Sequence, residues 1–319
     1  MTARRRAVWT VALALSAGVT PLFAQQYPVR PIRILTAPVS GALDIGARMI
    51  APAITEGLGQ QAVVDNRGGI LSIETAAKSR PDGYTLLVHG SVVWLLPFMR
   101  DKAPWDPLKD FLPITLLMTA PSVLVVHPSL PVKTVKDLVA LAKSKPGQLN
   151  YGSGGAGVIT HLAGEMFKAM SDTSIVRIPY GGTGPALNAM IAGEVQVMFP
   201  AALSAMPHVK SNRLRALAVA TAQPSALAPG LPTMIASGFP GFESGATTAL
   251  LAPAGTPQPI VQALHREVTK YLNRPDTRER LLFLGNEVIA NTPAEFTATI
   301  KSDMTKWGKV IRDAGIRDE

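Results

Sequence analysis

NYGSGGAGVITHLAGEMF (Asn150–Phe167) is followed closely by IVRIPYGGTGPALNAMIAGEVQVMF (Ile175–Phe199), and this pair of segments decides the fold. Each half reads strand, glycine turn, helix. The turns Gly152–Gly157 and Gly181–Gly184 deliver the chain into helices whose first backbone N–H groups have no partner within the helix. Such helix starts attract anions through the free donors and the positive end of the helix dipole. No acid, base or nucleophile triad lies nearby in sequence, so the pattern points to holding an anion rather than transforming one.

Working outward, the same alternation recurs upstream. Ile32–Thr36 reads as a buried strand, Pro38–Leu43 as a turn, and Asp44 as the cap of a helix over Ile45–Glu56. Ala62–Asp65 is a second strand, a helix covers Ile73–Ser79, Pro81-Asp82-Gly83 is a turn, and Tyr84–Val88 is the next strand. This run is the signature of a parallel sheet covered by helices. Val123–Val126 is a further apolar strand, and Thr134 with Asp137 forms a capping box for a helix to Lys145. Downstream, Leu214–Ala220 and Leu250–Ala252 read as strands. The proline- and glycine-rich Pro224–Gly241 reads as a surface connection. Two or three helices close the chain. The last is capped by Thr292 with Pro293 and Glu295, and Phe296, Ile300, Trp307 and Ile311 share one face.

The 319 residues suffice for about two domains with their own cores. Arg4, Arg5 and Arg6 precede an apolar run from Ala7 to Val19, and Ala24 precedes Gln25, the layout of a cleaved export signal over residues 1–24. That run is short of the ~20 residues a membrane anchor needs. Removing the signal's three arginines lowers the net charge from 31 − 22 = +9 to 28 − 22 = +6. The basic residues are scattered rather than interleaved with aromatics, which argues against nucleic acid. The absence of cysteine excludes disulfides, thiolate metal sites and cysteine nucleophiles. The five histidines form no short metal-ligand pair, so no metal and no cofactor are expected.

Several strings together carry a resemblance. They are YPVRPIRIL (27–35), DNRGG (65–69), PDGYTLL (81–87), WDPLKDFLPITLL (105–117), VLVVHPSLPVKTVKDLVALAKSKPGQLNYGSGG (123–155), HLAGEMF (161–167), IPYGGTGPAL (178–187), HVKSNRLRALAV (208–219), LLAPAGTP (250–257), TPAEF (292–296) and KWGKVI (306–311). In that order they resemble the periplasmic receptors of the tripartite tricarboxylate transporter family, the Bug-type solute-binding proteins. The resemblance implies an α/β, type II periplasmic-binding-protein fold: two α/β domains joined by two crossing strands, with a ligand cleft between them. It implies crossings near Val123–Val126 and Ala249–Ala252. Domain one then comprises residues 25–125 plus 248–319, and domain two residues 126–247. It further implies a monomer that binds a small organic anion, without catalytic residues, and hands it to a two-subunit membrane permease.

The ligand contacts expected on this reading lie on two sets of loops. Domain one offers Pro38, Val39, Ser40, Gly41, Asp44, Gly69, Ile70 and Ser91; domain two offers Ser153, Gly154, Gly155, Tyr180, Gly182, Thr183, Pro200 and Ala201. The chain departs from the family pattern in the first loop, where Thr36–Asp44 lacks the usual aromatic, one of the glycines and the Thr before Asp. The second loop is about three residues short after Asn66-Arg67-Gly68-Gly69. Thr247 stands where a tryptophan is common. Fewer glycines mean fewer close backbone approaches, and Val39, Leu43, Ile70 and Leu71 make that rim apolar.

Each candidate has a plainer reading. Ser153 with Gly154 and Gly155 could simply satisfy a tight βα turn, Thr183 could be a helix cap, and Asp44 is a cap before it is a ligand group. Arg67 reads as surface cover and His161 as structural. A ligand with an apolar or aromatic body and one main carboxylate, held mostly by domain two around Ser153 and Thr183, is the expectation. Two alternatives stand beside transport. The loaded receptor could dock on a membrane sensor kinase, or Ser153 could serve a hydrolase, although Gly152-Ser153-Gly154 lacks the spacers of a Gly-x-Ser-x-Gly elbow.

Overall fold

A computed structural model describes residues 27–38, 42–68 and 70–317. The export-signal expectation, and those for Val39, Ser40, Gly41 and Gly69, fall outside the described residues. The chain runs β1 (Ile32–Thr36), α1 (Ala42–Leu58), β2 (Ala62–Asn66), α2 (Leu71–Ala77), β3 (Thr85–His89), α3 (Val92–Leu95), β4 (Phe111–Pro121) and β5 (Val123–Val126). It continues through α4 (Val135–Ser144), β6 (Asn150–Ser153), α5 (Ile159–Ser171), β7 (Val176–Pro179), α6 (Thr183–Ile191), β8 (Val197–Met198), α7 (Ala202–Lys210) and β9 (Arg215–Val219). It finishes with β10 (Gly245–Pro253), α8 (Gln258–Leu272), α9 (Pro275–Phe283), β11 (Glu287–Val288) and α10 (Pro293–Asp313).

The strands form two sheets, ordered β11-β4-β10-β3-β1-β2 and β7-β6-β8-β5-β9. In the first, β1 pairs parallel with both β2 and β3, so α1, α2 and α3 all begin at one edge. In the second, β6 pairs parallel with β7 and β8, so α5, α6 and α7 also begin at one edge. β10 is antiparallel to both β3 and β4, and β5 is antiparallel to β8. The passage from β4 to β5 therefore joins those two edges, and the helix N-termini of the two lobes face a common gap. The crossing itself is a small backbone ladder: Ser122 N donates to Ser244 O (3.0 Å), Ala220 N to Ser122 O (2.8 Å), and Ser244 N to Ala220 O (2.9 Å). Val123–Val126 and Ala249–Ala252 lie inside the second and first sheet respectively. The chain changes sheets immediately before the first, at Pro121–Val123, and a few residues before the second, at Ser244–Gly245.

Three apolar clusters hold these layers. One packs α1 and α8 on the first sheet through Ile50, Ile54, Leu86, Leu264 and Val268. A second packs α6 and α7 on the other sheet through Leu187, Met190, Val195 and Ala205. The third is continuous across both lobes: Leu35, Trp94 and Leu116 join Phe296 and Trp307 of α10, then Phe167, Phe199 and Phe239. Ile300 and Ile311 complete the buried face of α10, as their spacing predicts. The connection Pro224–Gly241 is more than surface. Met234 and Phe239 are buried, Met234 N donates to Val219 O (2.9 Å), and Phe239 stacks on Phe167 with centroids 5.3 Å apart. An irregular segment can plug a core without any periodicity in its sequence.

Candidate ligand site

The gap-facing helix starts of the second lobe lack any compensating acid. α4 and α10, which begin elsewhere, carry complete capping boxes from Thr134/Asp137 and Thr292/Glu295. α5, α6 and α7 begin at Val158, Gly182 and Ala201 with no side-chain cap and no acid in the first turn. Their leading N–H groups are therefore free and the positive end of each dipole is uncompensated. On the opposing lobe α1 and α2 have Asp44 and Glu74 in their first turns, whereas α3 has neither cap nor acid. An anion is thus favoured more by the second lobe than by the first.

The two glycine turns of the second lobe meet. Tyr180 N donates to Ser153 O (2.9 Å), and Gly154 is buried between the turns. A Cβ on Gly154 would stand 3.1 Å from Val158 Cγ2, 3.4 Å from Thr183 N and 3.5 Å from Gly182 C, so the glycine lets the two turns approach closely without crowding. Gly155 is exposed with open space around it. Thr183 is half-buried at the start of α6, and its hydroxyl has no hydrogen bond among the described residues. Thr160 Oγ1 accepts from Gly154 N (3.1 Å), and His161 Nδ1 accepts from Gly157 N (3.2 Å). Burial, with help from Arg177, lowers the His161 pKa to about 4, so the ring is neutral and braces the turn.

Several of the other expected contacts have their polar groups engaged within the protein. Ser153 is fully buried, and its hydroxyl donates to Gly154 O (3.0 Å) while accepting from Arg177 Nε (2.8 Å). It holds the turn together rather than offering a free hydroxyl or a nucleophile. The Tyr180 hydroxyl turns to Glu194 Oε2 (3.4 Å), not into the gap. Pro200 is buried with its carbonyl accepting from Val123 N (2.9 Å), and Ala201 bridges Ser122, so both back onto the crossing. Asp44 is not the cap residue of α1 but lies inside its first turn. Its Oδ1 accepts from Asn66 Nδ2 (2.8 Å) and Arg48 Nε (3.0 Å), and Asn66 Nδ2 also donates to Ala37 O (2.7 Å). That network ties the first loop to the second. Pro38 is exposed, Ile70 is the half-buried residue before α2, and Ser91 precedes α3. Arg67 pairs with Asp65 (3.1 Å), in keeping with its surface reading.

Arg177 escaped the sequence reading. Its guanidinium reaches Ser153 Oγ and, through NH2, Gly154 O (3.0 Å), and it has no acidic partner among the described residues. A half-buried cation bonded only to neutral groups adds positive potential at the turn. No sequence signal marks it: only strand pairing sets it opposite Tyr151, one strand over from the glycine turn. A cavity of ≈ 400 Å³ lies at the crossing strands under α10; Ser91 and Ile159, at the starts of α3 and α5, line it, and of the expected contacts it includes Ser91 alone. No group of three or more His, Asp or Glu among the described residues could hold a metal ion, and no described helix is long and apolar enough to cross a membrane.

Residues 46–316 match the model of the tripartite tricarboxylate transporter family receptor. The chain is 31% identical to protein BugT of Bordetella pertussis strain Tohama I, over 98% of this chain and 98% of that protein. Among solved structures, R. palustris Rpa4515 with adipate is 31% identical at a TM-score of 0.71, covering 91% of this chain and 99% of that one. MatC (Rpa3494) from Rhodopseudomonas palustris with bound malate is 30% identical at a TM-score of 0.67, covering 89% of this chain and 100% of that one.

Proposed function

Since this chain belongs to the tripartite tricarboxylate transporter receptor family, whose members bind solutes and are not enzymes, we propose that it captures a small organic anion and delivers it to a two-subunit membrane permease. On this reading residues 1–24 export it to the periplasm, where it works as a monomer. Residues 25–125 plus 248–319 form one lobe and residues 126–247 the other. The ligand has an apolar or aromatic body and one main carboxylate. The observation that carries this reading is that all three gap-facing helix starts of the second lobe, α5, α6 and α7, are uncapped and free of acid, whereas α1 and α2 of the first lobe carry Asp44 and Glu74. Adipate and malate in the two relatives support a carboxylate. The carboxylate sits against the Gly154–Thr183 contact, its charge met by free N–H groups, the Thr183 hydroxyl and the Arg177 field. Ser153 contributes by holding Arg177 rather than by direct contact, and the apolar rim of Leu43, Ile70 and Leu71 receives the body.

Titration calorimetry with recovery of the ligand tests this. One equivalent of a monocarboxylate should bind reversibly and be recovered unchanged, and Thr183→Val should weaken it by about tenfold, or 1.4 kcal/mol. Tight citrate binding with no response to monocarboxylates, or conversion of the ligand, would refute it. Deleting the gene and comparing uptake with induction separates delivery to a permease from docking on a sensor kinase.

A further inference from the structure

The cavity under α10 has the opposite charge preference from the gap-facing turns. Ser91, Leu116 and Thr119 of one lobe, Ile159 and Thr221 of the other, and Asp303 and Trp307 of α10 line its ≈ 400 Å³, a volume within the usual range for small-molecule sites. Three carboxylates border it, Glu243, Glu287 and Asp303, against a single ammonium, Lys306. Lys306 is loosely held: its Nζ is 3.8 Å from Asp303 Oδ1 and 3.4 Å from Glu243 O. Glu287 Oε1 accepts from Ser225 Oγ (2.6 Å) and Ala226 N (3.1 Å). Asp303 accepts from Trp94 Nε1 (3.1 Å), yet burial, with Glu243 adding, holds its carboxyl above the usual range. Three carboxylates against one ammonium make this space less favourable to an organic anion than the Gly154–Thr183 contact, although Ser91 and Ile159 at the starts of α3 and α5 also line it.

We propose that this cavity is a second binding site and that it takes a linear aliphatic diamine. The carboxylates do not converge as metal ligands among the described residues, so separated positive charges fit them better than one ion does. Leu95, Leu116, Ile159 and Ile289 offer walls for a methylene chain between those charges. The face of Trp307 already carries an ammonium, that of Lys306 at 5.2 Å, which shows that a cation is accepted there. Thr247 Oγ1, on the cavity lining, is buried without a hydrogen-bond partner and supplies an acceptor for an ammonium N–H. Because the lining comes from both lobes and the crossing strands, the bound diamine touches both lobes at once.

The test is a calorimetric titration of the purified protein with 1,4-diaminobutane and 1,5-diaminopentane, with butane-1,4-diol as the uncharged control. Saturable 1:1 binding of a diamine and none of the diol is expected. Glu243→Gln, an exposed side chain with no hydrogen bond among the described residues, should weaken binding about tenfold, and Thr247→Phe, which fills the cavity, should abolish it. Absence of saturable diamine binding to the unaltered protein overturns the proposal, as does binding that both variants leave unchanged. Carboxylate binding is read in separate titrations, so either site can fail without the other.

Discussion

Replacing Gly154 by alanine tests whether the two glycine turns act as one device. The added Cβ would meet a Val158 methyl at 3.1 Å and Thr183 N at 3.4 Å, with Gly182 C just beyond. These are tight contacts rather than collisions, and the valine can give by a few tenths of an ångström. Overpacking a well-fitted position costs about 1–3 kcal/mol, and the low end, about 1 kcal/mol, applies here. The adjustment must move Val158 or the start of α6, and both belong to the helix starts that present free N–H groups. Carboxylate affinity should therefore fall about tenfold, equivalent to about 1.4 kcal/mol. Gly155→Ala is the matched control, since its Cβ would meet nothing within 4 Å. It should change stability by less than about 0.5 kcal/mol. Urea unfolding followed by circular dichroism gives the first quantity and titration calorimetry the second. Equal effects of the two substitutions, on either readout, would refute the claim that contact between the turns shapes the site.

Other consequences can be checked in the same assays. Tyr151 Oη donates to Glu165 Oε1 (2.6 Å) beneath α5, so Tyr151→Phe should cost about 1.5–3 kcal/mol, the range for a hydrogen bond to a charged group, seen as a lower urea midpoint. Thr134→Ala removes the cap of α4 and should cost about 1 kcal/mol without altering ligand affinity, because that helix begins away from the gap. Burial holds His89 at about 4 against an ordinary 6.5, so between those values the unfolded chain takes up a proton that the folded chain refuses. Stability is complete above about pH 6.5 and is lost as pH falls toward 4, and His161 acts in the same sense. Unfolding curves from pH 7 to 4.5 should show that loss, and His89→Phe should make it shallower; an unchanged slope would remove His89 from the account.

Much of the architecture was legible because local chemistry and final structure agree. Thr134/Asp137 and Thr292/Glu295 announce helix starts that need no tertiary partner, and β1 and β5 are short β-branched or apolar runs bounded by turn residues. The longest strand, Phe111–Pro121, was not legible. Prolines stand within it, and its burial on both faces gives no alternation to read. The structure tolerates Pro113 because it pairs with Leu251 where the register against β10 shifts. The glycine turns were legible as helix entries, but the fate of each polar group was not. Ser153 looked like a ligand hydroxyl until Arg177, twenty-four residues on, came to lie beside it through strand pairing. Pairing across β6 and β7 is a tertiary fact, and so is the cavity under α10, whose lining is gathered from both lobes.

The most direct test of the central claim is a thermal-shift screen of the protein starting at Gln25 against carboxylates of graded charge and apolar size, with uncharged analogues as controls. At about 100 times its dissociation constant a true ligand stabilises the fold by roughly 2.7 kcal/mol, enough to raise the melting temperature visibly. The account predicts a shift confined to carboxylates with a single main charge and an apolar or aromatic body. A response to uncharged analogues equal to that of the acids, or no response to any acid from a folded and ligand-free protein, would contradict it.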